Sequence, residues 1–314
     1  MKALAILAVT AAAVVGAAPA TTQAAAGGGA SCDRACLYGY MDKYLAALRA
    51  KNPKGLPLAA NVFNTENNVA MKVGDGMWNT LSSLDKYDLR LADPKTGGVG
   101  FYGAVDEAGT LSPFGVRLKI VNGKITEIET VVSRPQDAGV PFVNGHLTPK
   151  AEFAEPPGPH QDRAKLISVA DGYFSTLQRN DGTLHTEFAD TCNRSENGMQ
   201  TTNNAAAKAK YPNMWMGCAQ QFKLGIYRYD DELRARRYPL VDEERGMVMA
   251  TGFIDHSGRI GTYKLTDGST QTSSYRRPHS FYLLETFKIK AGKIARIEAV
   301  FTTVPYKMPY PAGK

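Results

Sequence analysis

The sequence predicts an α+β fold of two tandem cone-shaped domains, each a long helix packed in a strongly curved antiparallel sheet. Three observations predict it. The first is an internal repeat. Residues 241–258 (VDEERGMVMATGFIDHSG) restate residues 91–109 (LADPKTGGVGFYGAVDEAG), with Asp93, Gly97, Val99, Gly103 and Gly109 answered by Asp242, Gly246, Val248, Gly252 and Gly258 at an offset of 149. A fixed offset marks one structural unit used twice. The second is that each copy opens on an apolar helical period. The third is a shared closing hairpin, residues 118–129 (LKIVNGKITEIE) against 287–298 (FKIKAGKIARIE).

Residues 1–30 read as a signal peptide and flexible leader. Lys2 supplies the charged start, residues 3–18 an apolar run too short to span a bilayer, and Ala18-Pro19-Ala20 a small-residue cleavage site. The remainder contains no stretch of transmembrane length, so the expectation is a periplasmic or secreted protein with no membrane insertion after signal cleavage. The first repeat spans 31–135. Asp33 is positioned as an N-cap, and Leu37, Tyr40, Met41, Tyr44, Leu45 and Leu48 then follow helical spacing. Strand patterns follow at 61–68, 87–92, 99–106, 114–121 and 124–132, with a short helix after Gly76. Asn122-Gly123 between the last two strands is a strong hairpin signal.

Residues 136–160 are a proline-rich linker. The second repeat, 161–314, restates the first: Asp162 as cap, Leu166, Val169, Ala170, Tyr173 and Leu177 as helix face, and 188–197 as the strand after it. The offset grows from about 130 to 149 and then 169, so this copy carries two insertions of about twenty residues, within 199–237 and 259–277. Loops present in one copy only are where function tends to sit.

Of 314 residues, 43% are hydrophobic and 21% charged, an ordinary globular balance. The net charge of +7 reads as a solvated face rather than a nucleic-acid surface; it also suits attraction of anionic ligands. An even cysteine count in an exported chain points to disulfides. Four cysteines allow three pairings, and proximity favours Cys32–Cys36 and Cys192–Cys218. The longer loop would stabilise by about 3 kcal/mol. The alternative for Cys32 and Cys36 is a metal or redox pair, but no histidine stands at ligand spacing nearby.

Gly98 to Gly103 (GVGFYG) formally matches a dinucleotide fingerprint. That chemistry needs the glycines to leave a strand and open a helix; here they enter a strand, so no cofactor is expected. The five histidines show no metal spacing, and no metal is expected. His256 and His279 flank the second insertion and belong to one end of the sheet if their strands pair as a hairpin. Histidine titrates near neutrality, so either suits acid–base work; both read equally as turn or loop histidines. Asp255 adjoins His256, but neighbouring strand residues face opposite ways. Trp215, in the first insertion, could line a pocket or belong to the core.

Taken together, these residues resemble the nuclear transport factor 2-like (SnoaL-like) superfamily, which includes ketosteroid isomerase and scytalone dehydratase. The resemblance covers Cys32 to Pro305 as two copies. Residues 241–258 and 300–306 (VFTTVPY) are more narrowly similar to secreted fungal and bacterial proteins of unassigned function. The resemblance implies a pocket tyrosine on the first helix, at Tyr44 and Tyr173. It implies an acidic base on the following strand, at Glu196 in residues 189–197 (ADTCNRSEN), with Glu66 its counterpart. The chain has Glu-Asn where those enzymes have Glu-Asp. A buried Glu196 can serve as base, its proton affinity raised by desolvation, or as a carboxylate satisfied by Arg194.

The expectation is an exported, cofactor-independent lyase or isomerase acting on a small organic molecule. Glu196 would be base, Tyr173 oxyanion donor, and His256 or His279 acid. Glu66, Tyr44, Arg194, Trp215 and Asp255 would help bind the ligand. The alternative is a non-catalytic protein that binds a small ligand or glycan of the cell envelope. In either case the repeats would form an intramolecular pseudo-dimer.

Overall fold

Both long helices start where an aspartate can cap them. Asp33 accepts the Cys36 N–H at 2.9 Å and opens α1 (Arg34–Arg49); Asp162 accepts the Lys165 N–H at 2.8 Å and opens α3 (below). The computed structural model describes residues 32–273 and 275–311. The expected signal and leader, residues 1–30, lie outside the described residues.

After α1 come β1 (Leu58–Glu66), β2 (Val69–Ala70), α2 (Met77–Thr80), β3 (Leu81–Leu84), β4 (Leu89–Asp93), β5 (Gly98–Glu107), β6 (Thr110–Val121) and β7 (Lys124–Val132). The second half runs α3 (Arg163–Arg179), β8 (Phe188–Glu196), β9 (Met199–Gln200), α4 (Cys218–Leu224), β10 (Glu232–Asp242), β11 (Met247–His256), β12 (Thr262–Lys264), β13 (Thr270–Thr272), β14 (His279–Lys290) and β15 (Lys293–Val304). The fold is α+β with two large sheets. The first has strand order β2-β1-β7-β6-β5-β3, with β4 also on β5. The second, read from the matching edge, is β9-β8-β15-β14-β11-β10.

The sheets are mixed, which corrects the antiparallel expectation. β1 lies parallel to β7, and β8 parallel to β15. Parallel neighbours need a long crossover rather than a hairpin. Here nearly the whole half intervenes between the two strands, so no turn signal in the sequence reports the pairing.

Strand alternation sorts side chains into three cores. α1 buries Leu37, Met41, Tyr44, Leu45 and Leu48 against the first sheet, and α3 buries Leu166, Val169, Tyr173 and Phe174 against the second. On β14, Phe281, Leu283 and Phe287 face the second-half core. Tyr282 and Leu284 face a third cluster, which they share with Leu91, Tyr102 and Val131 of the first half.

The repeated box explains itself at this third contact. Asp93 accepts the Val241 N–H at 3.0 Å and pairs with Arg163 at 2.7 Å. Asp242 accepts the Ala92 N–H at 3.0 Å and pairs with Arg34 through both oxygens at 2.7 Å. Each half thus gives its equivalent aspartate to the other. The box's turn glycines, Gly97 and Gly246, have φ of +74° and +58°. A Cβ there would meet the carbonyl oxygens of Ile120 and Ile289 at 2.3 and 2.6 Å, so both copies require glycine.

Disulfides join Cys32 to Cys36 and Cys192 to Cys218. The second ties β8 to α4, an element of the first insertion. The second insertion folds as the β12–β13 hairpin.

Candidate functional site

A cavity of about 620 Å³ opens in the second half. Its mouth lies among residues 139–142 of the linker, 210–214 of the first insertion, and 271–273 and Tyr275 of the second. Loops unique to this copy, and a linker expected only to connect, therefore supply the rim.

The floor is polar and built from regular elements. Arg194 and Glu196 are two apart on β8 and share a face; Tyr173 comes from α3 and Glu285 from β14. In the strand ladder Glu196 lies opposite Ala299, and Ala299 opposite Glu285. Two glutamates thus face one cavity across a residue too small to separate them. Arg194, 1% exposed, is the hub beneath them. It pairs with Glu196 at 3.2 Å, bonds Thr201 at 3.0 Å, the Tyr173 hydroxyl at 3.3 Å and Gln221 at 2.5 Å, and also donates to Tyr227.

This surrounding splits the two carboxyls. Burial, and then the charge of Glu196, push the Glu285 carboxyl up from 4.5 to about 8, against the opposing pull of Arg194 and the Tyr173 hydroxyl. Glu285 is thus a carboxylic acid at neutral pH, while Glu196 is the ion-pair partner of Arg194. Burial also raises Tyr173 far above its ordinary value, so its hydroxyl keeps its proton as a donor.

Equivalent positions of the first half differ. Phe101, Phe114, Val116 and Thr130 stand where the second half has Ala250, Leu283, Glu285 and Ala299. The rings of Phe101 and Phe114 pack 5.5 Å apart inside that core. Tyr44 packs edge-on to Trp78 at 5.4 Å. Glu66 accepts the Met77 N–H at 2.7 Å and pairs with Arg134 at 3.0 Å. Both had been expected to bind ligand; both are committed to first-half structure and do not line the cavity.

His256 lines the cavity wall, whereas His279, opposite it in the β11–β14 ladder, does not line the cavity, contrary to expectation; their rings stack 4.6 Å apart at 3°. His256 Nε2 is 2.7 Å from Asp230 Oδ1. His279 Nδ1 is 2.8 Å from the Arg277 carbonyl oxygen, and burial lowers its proton affinity. Burial raises Asp230, opposed by His256. Six residue steps separate His279 from Glu285, about 20 Å along β14. The histidines and the floor therefore cannot act on one bond of a small ligand.

Asp255 points to the other sheet face, where it pairs with Arg234 at 2.7 Å and accepts from Ser280. Trp215 is 46% exposed, because its neighbour Met214 takes the cavity-facing position. Neither lines the cavity, contrary to expectation. Glu285, Asp230 and Gln221 were missed. The signal for Glu285 lay two residues before the repeated hairpin, where an inward strand position holds glutamate against Val116 in the first copy.

Among the described residues, no group of three or more His, Cys, Asp and Glu could hold a metal ion, and no helix is long and apolar enough to cross a membrane. A family model described as a domain of unknown function (DUF8021) matches residues 159–301, within the half that carries the cavity. No curated protein matches the chain. Solved structures similar to parts of it include AclR, a proposed hydroxylase from Streptomyces galilaeus, at 13% identity, covering 32% of this chain and 81% of that one with a TM-score of 0.27. An NTF2-like protein from Cytophaga hutchinsonii ATCC 33406 is similar at 14% identity, covering 46% of this chain and 99% of that one, TM-score 0.26. The de novo designed NTF2 fold protein NT-9 is similar at 17% identity, covering 32% and 83%, TM-score 0.20.

Proposed function

We propose that the protein is an exported, cofactor-independent lyase or isomerase of two SnoaL-like repeats, working in the second-half cavity. It would move a proton next to a carbonyl, or eliminate water, on a small organic molecule. The observation that carries this reading is the Glu196–Ala299–Glu285 row. Two carboxyls facing one space, one paired with a guanidinium and one kept neutral, are an acid–base pair set by environment. Glu196 is the base, oriented by Arg194. Glu285 is the acid, and with the Tyr173 hydroxyl it donates to the oxygen where charge develops. His256 and Asp230 belong to the cavity wall. The first half is the structural partner in a pseudo-dimer, and the disulfides fit an oxidising compartment such as the periplasm or the exterior.

The second reading, a non-catalytic binder of a small ligand or glycan, is favoured by the commitment of Glu196 to Arg194. Deuterium uptake α to the carbonyl of small ketones in D2O separates the two. Turnover above buffer by the wild-type chain is expected, with a loss of about 10²–10⁴-fold in Glu196→Gln and no comparable loss in His256→Phe. Equal uptake by wild type and Glu196→Gln removes the catalytic reading, as does the absence of uptake on every ketone.

A further inference from the structure

From the mouth inward the cavity wall is a chain of aromatic rings. Tyr211 meets Phe142 (5.8 Å, 78°), Phe142 meets Phe301 (6.4 Å, 83°), and Phe301 meets Phe281 (4.8 Å, 58°). Phe281 then meets Tyr275 (5.8 Å, 86°), and Tyr275 meets Tyr229 (5.0 Å, 39°). All six line the cavity. They come from the linker, both insertions, β14 and β15, so separate stretches of chain converge on one ring belt. Three of these five contacts are edge-to-face and two are tilted, so the belt presents both edges and faces, arrangements aromatic groups prefer. A guest ring in such a belt gains both edge-to-face and offset contacts, whereas a saturated ring gains burial alone.

Charge narrows the guest further. Arg194 and Glu196 neutralise each other at 3.2 Å, and Asp230 and His256 stand 2.7 Å apart. Lys210 lines the exposed rim. An ionised ligand would have to break one of the inner pairs or leave its charge without a partner. The floor instead offers hydroxyl and carboxyl donors, which suit an uncharged oxygen.

We infer that the ligand of this cavity is an uncharged aryl compound, its ring held in the belt and a carbonyl or hydroxyl oxygen directed at Tyr173 and Glu285. The inference rests on the floor chemistry proposed above, and names the substrate class for it.

Calorimetric titration of the disulfide-intact chain with 2-acetonaphthone, its decahydro counterpart and 2-naphthoate tests it. The aryl ketone is expected to bind at least tenfold tighter than either of the others. Phe281→Leu, and independently Tyr275→Leu at the rim, are expected to cut the preference over the decahydro ketone to under threefold. Equal affinities, tighter binding of the carboxylate, an undiminished preference in both variants, or binding of none of the three overturns it. Deuterium uptake into the methyl group of 2-acetonaphthone keeps the two readings apart. Aryl-selective binding without uptake sustains the ligand class and removes the proton transfer. Uptake on both ketones with equal affinity overturns the ligand class and leaves the proton transfer standing.

Discussion

Glu285 is the residue on which the site turns, and its protonation has a measurable cost. Its folded-state pKa of about 8 stands above the ordinary 4.5, so between those pH values the native chain binds more protons than the unfolded one. Stability must therefore fall as pH rises through that window, by an amount on the order of 5 kcal/mol. In Glu285→Gln this part of the fall should vanish, while the part from Glu298, which burial raises from 4.5 to about 7, remains; the variant should therefore gain on wild type between pH 4.5 and pH 8. Urea midpoints at the two pH values check it. Turnover should likewise decline as pH rises through about 8, because the acid is lost there. The residue was legible only in part. Alternation places it inward, but the repeat comparison starts at Phe287, two residues beyond it. Glu196 and Tyr173 were what the family resemblance implied, with Arg194 two residues before Glu196 on the same strand, whereas the pairing of His256 with Asp230 depends on a loop that no periodicity describes.

At the scale of elements, the Cys192–Cys218 disulfide fixes the floor. Cys192 precedes Arg194 by two residues on β8, and Cys218 opens the helix that carries Gln221, the partner of Arg194. Replacing both cysteines with serine should cost about 3 kcal/mol and abolish ligand binding. The same change at Cys32 and Cys36, only four residues apart, should cost much less and spare binding. Thermal melts and titration of both double variants check this. These pairings were readable from spacing, as was the glycine turn that both copies need at Gly97 and Gly246. The parallel β1–β7 and β8–β15 pairings were not, because side-chain alternation is the same in parallel and antiparallel strands. Trp215 was misplaced for a similar reason: in an irregular insertion nothing in the pattern says whether Met214 or Trp215 turns inward.

For the whole molecule, the exchange of Asp93 and Asp242 between halves is the arrangement of a two-fold interface, in which equivalent residues contact each other's partners. Both carboxylates are buried and paired with arginines from the starts of α1 and α3. Removing Asp242 leaves the Ala92 N–H without its acceptor and Arg34 with Glu244 and Tyr38 alone, so Asp242→Ala should destabilise by about 2 kcal/mol. Because one core spans both sheets, the loss should appear as a lowered single transition rather than as separate melting of one half; calorimetry distinguishes the two. The first half would then be the support against which the second half keeps an opened cavity and an ionisable floor.

The direct test gives the second half the residue that the first half has. Val116 occupies the position of Glu285, so Glu285→Val removes the acid while keeping a side chain the fold already accepts there. Deuterium uptake into 2-acetonaphthone should drop by about 10²-fold or more, with the melting temperature at pH 8 unchanged or higher. Undiminished uptake by a folded Glu285→Val chain would contradict the claim that the Glu196–Glu285 pair performs the chemistry.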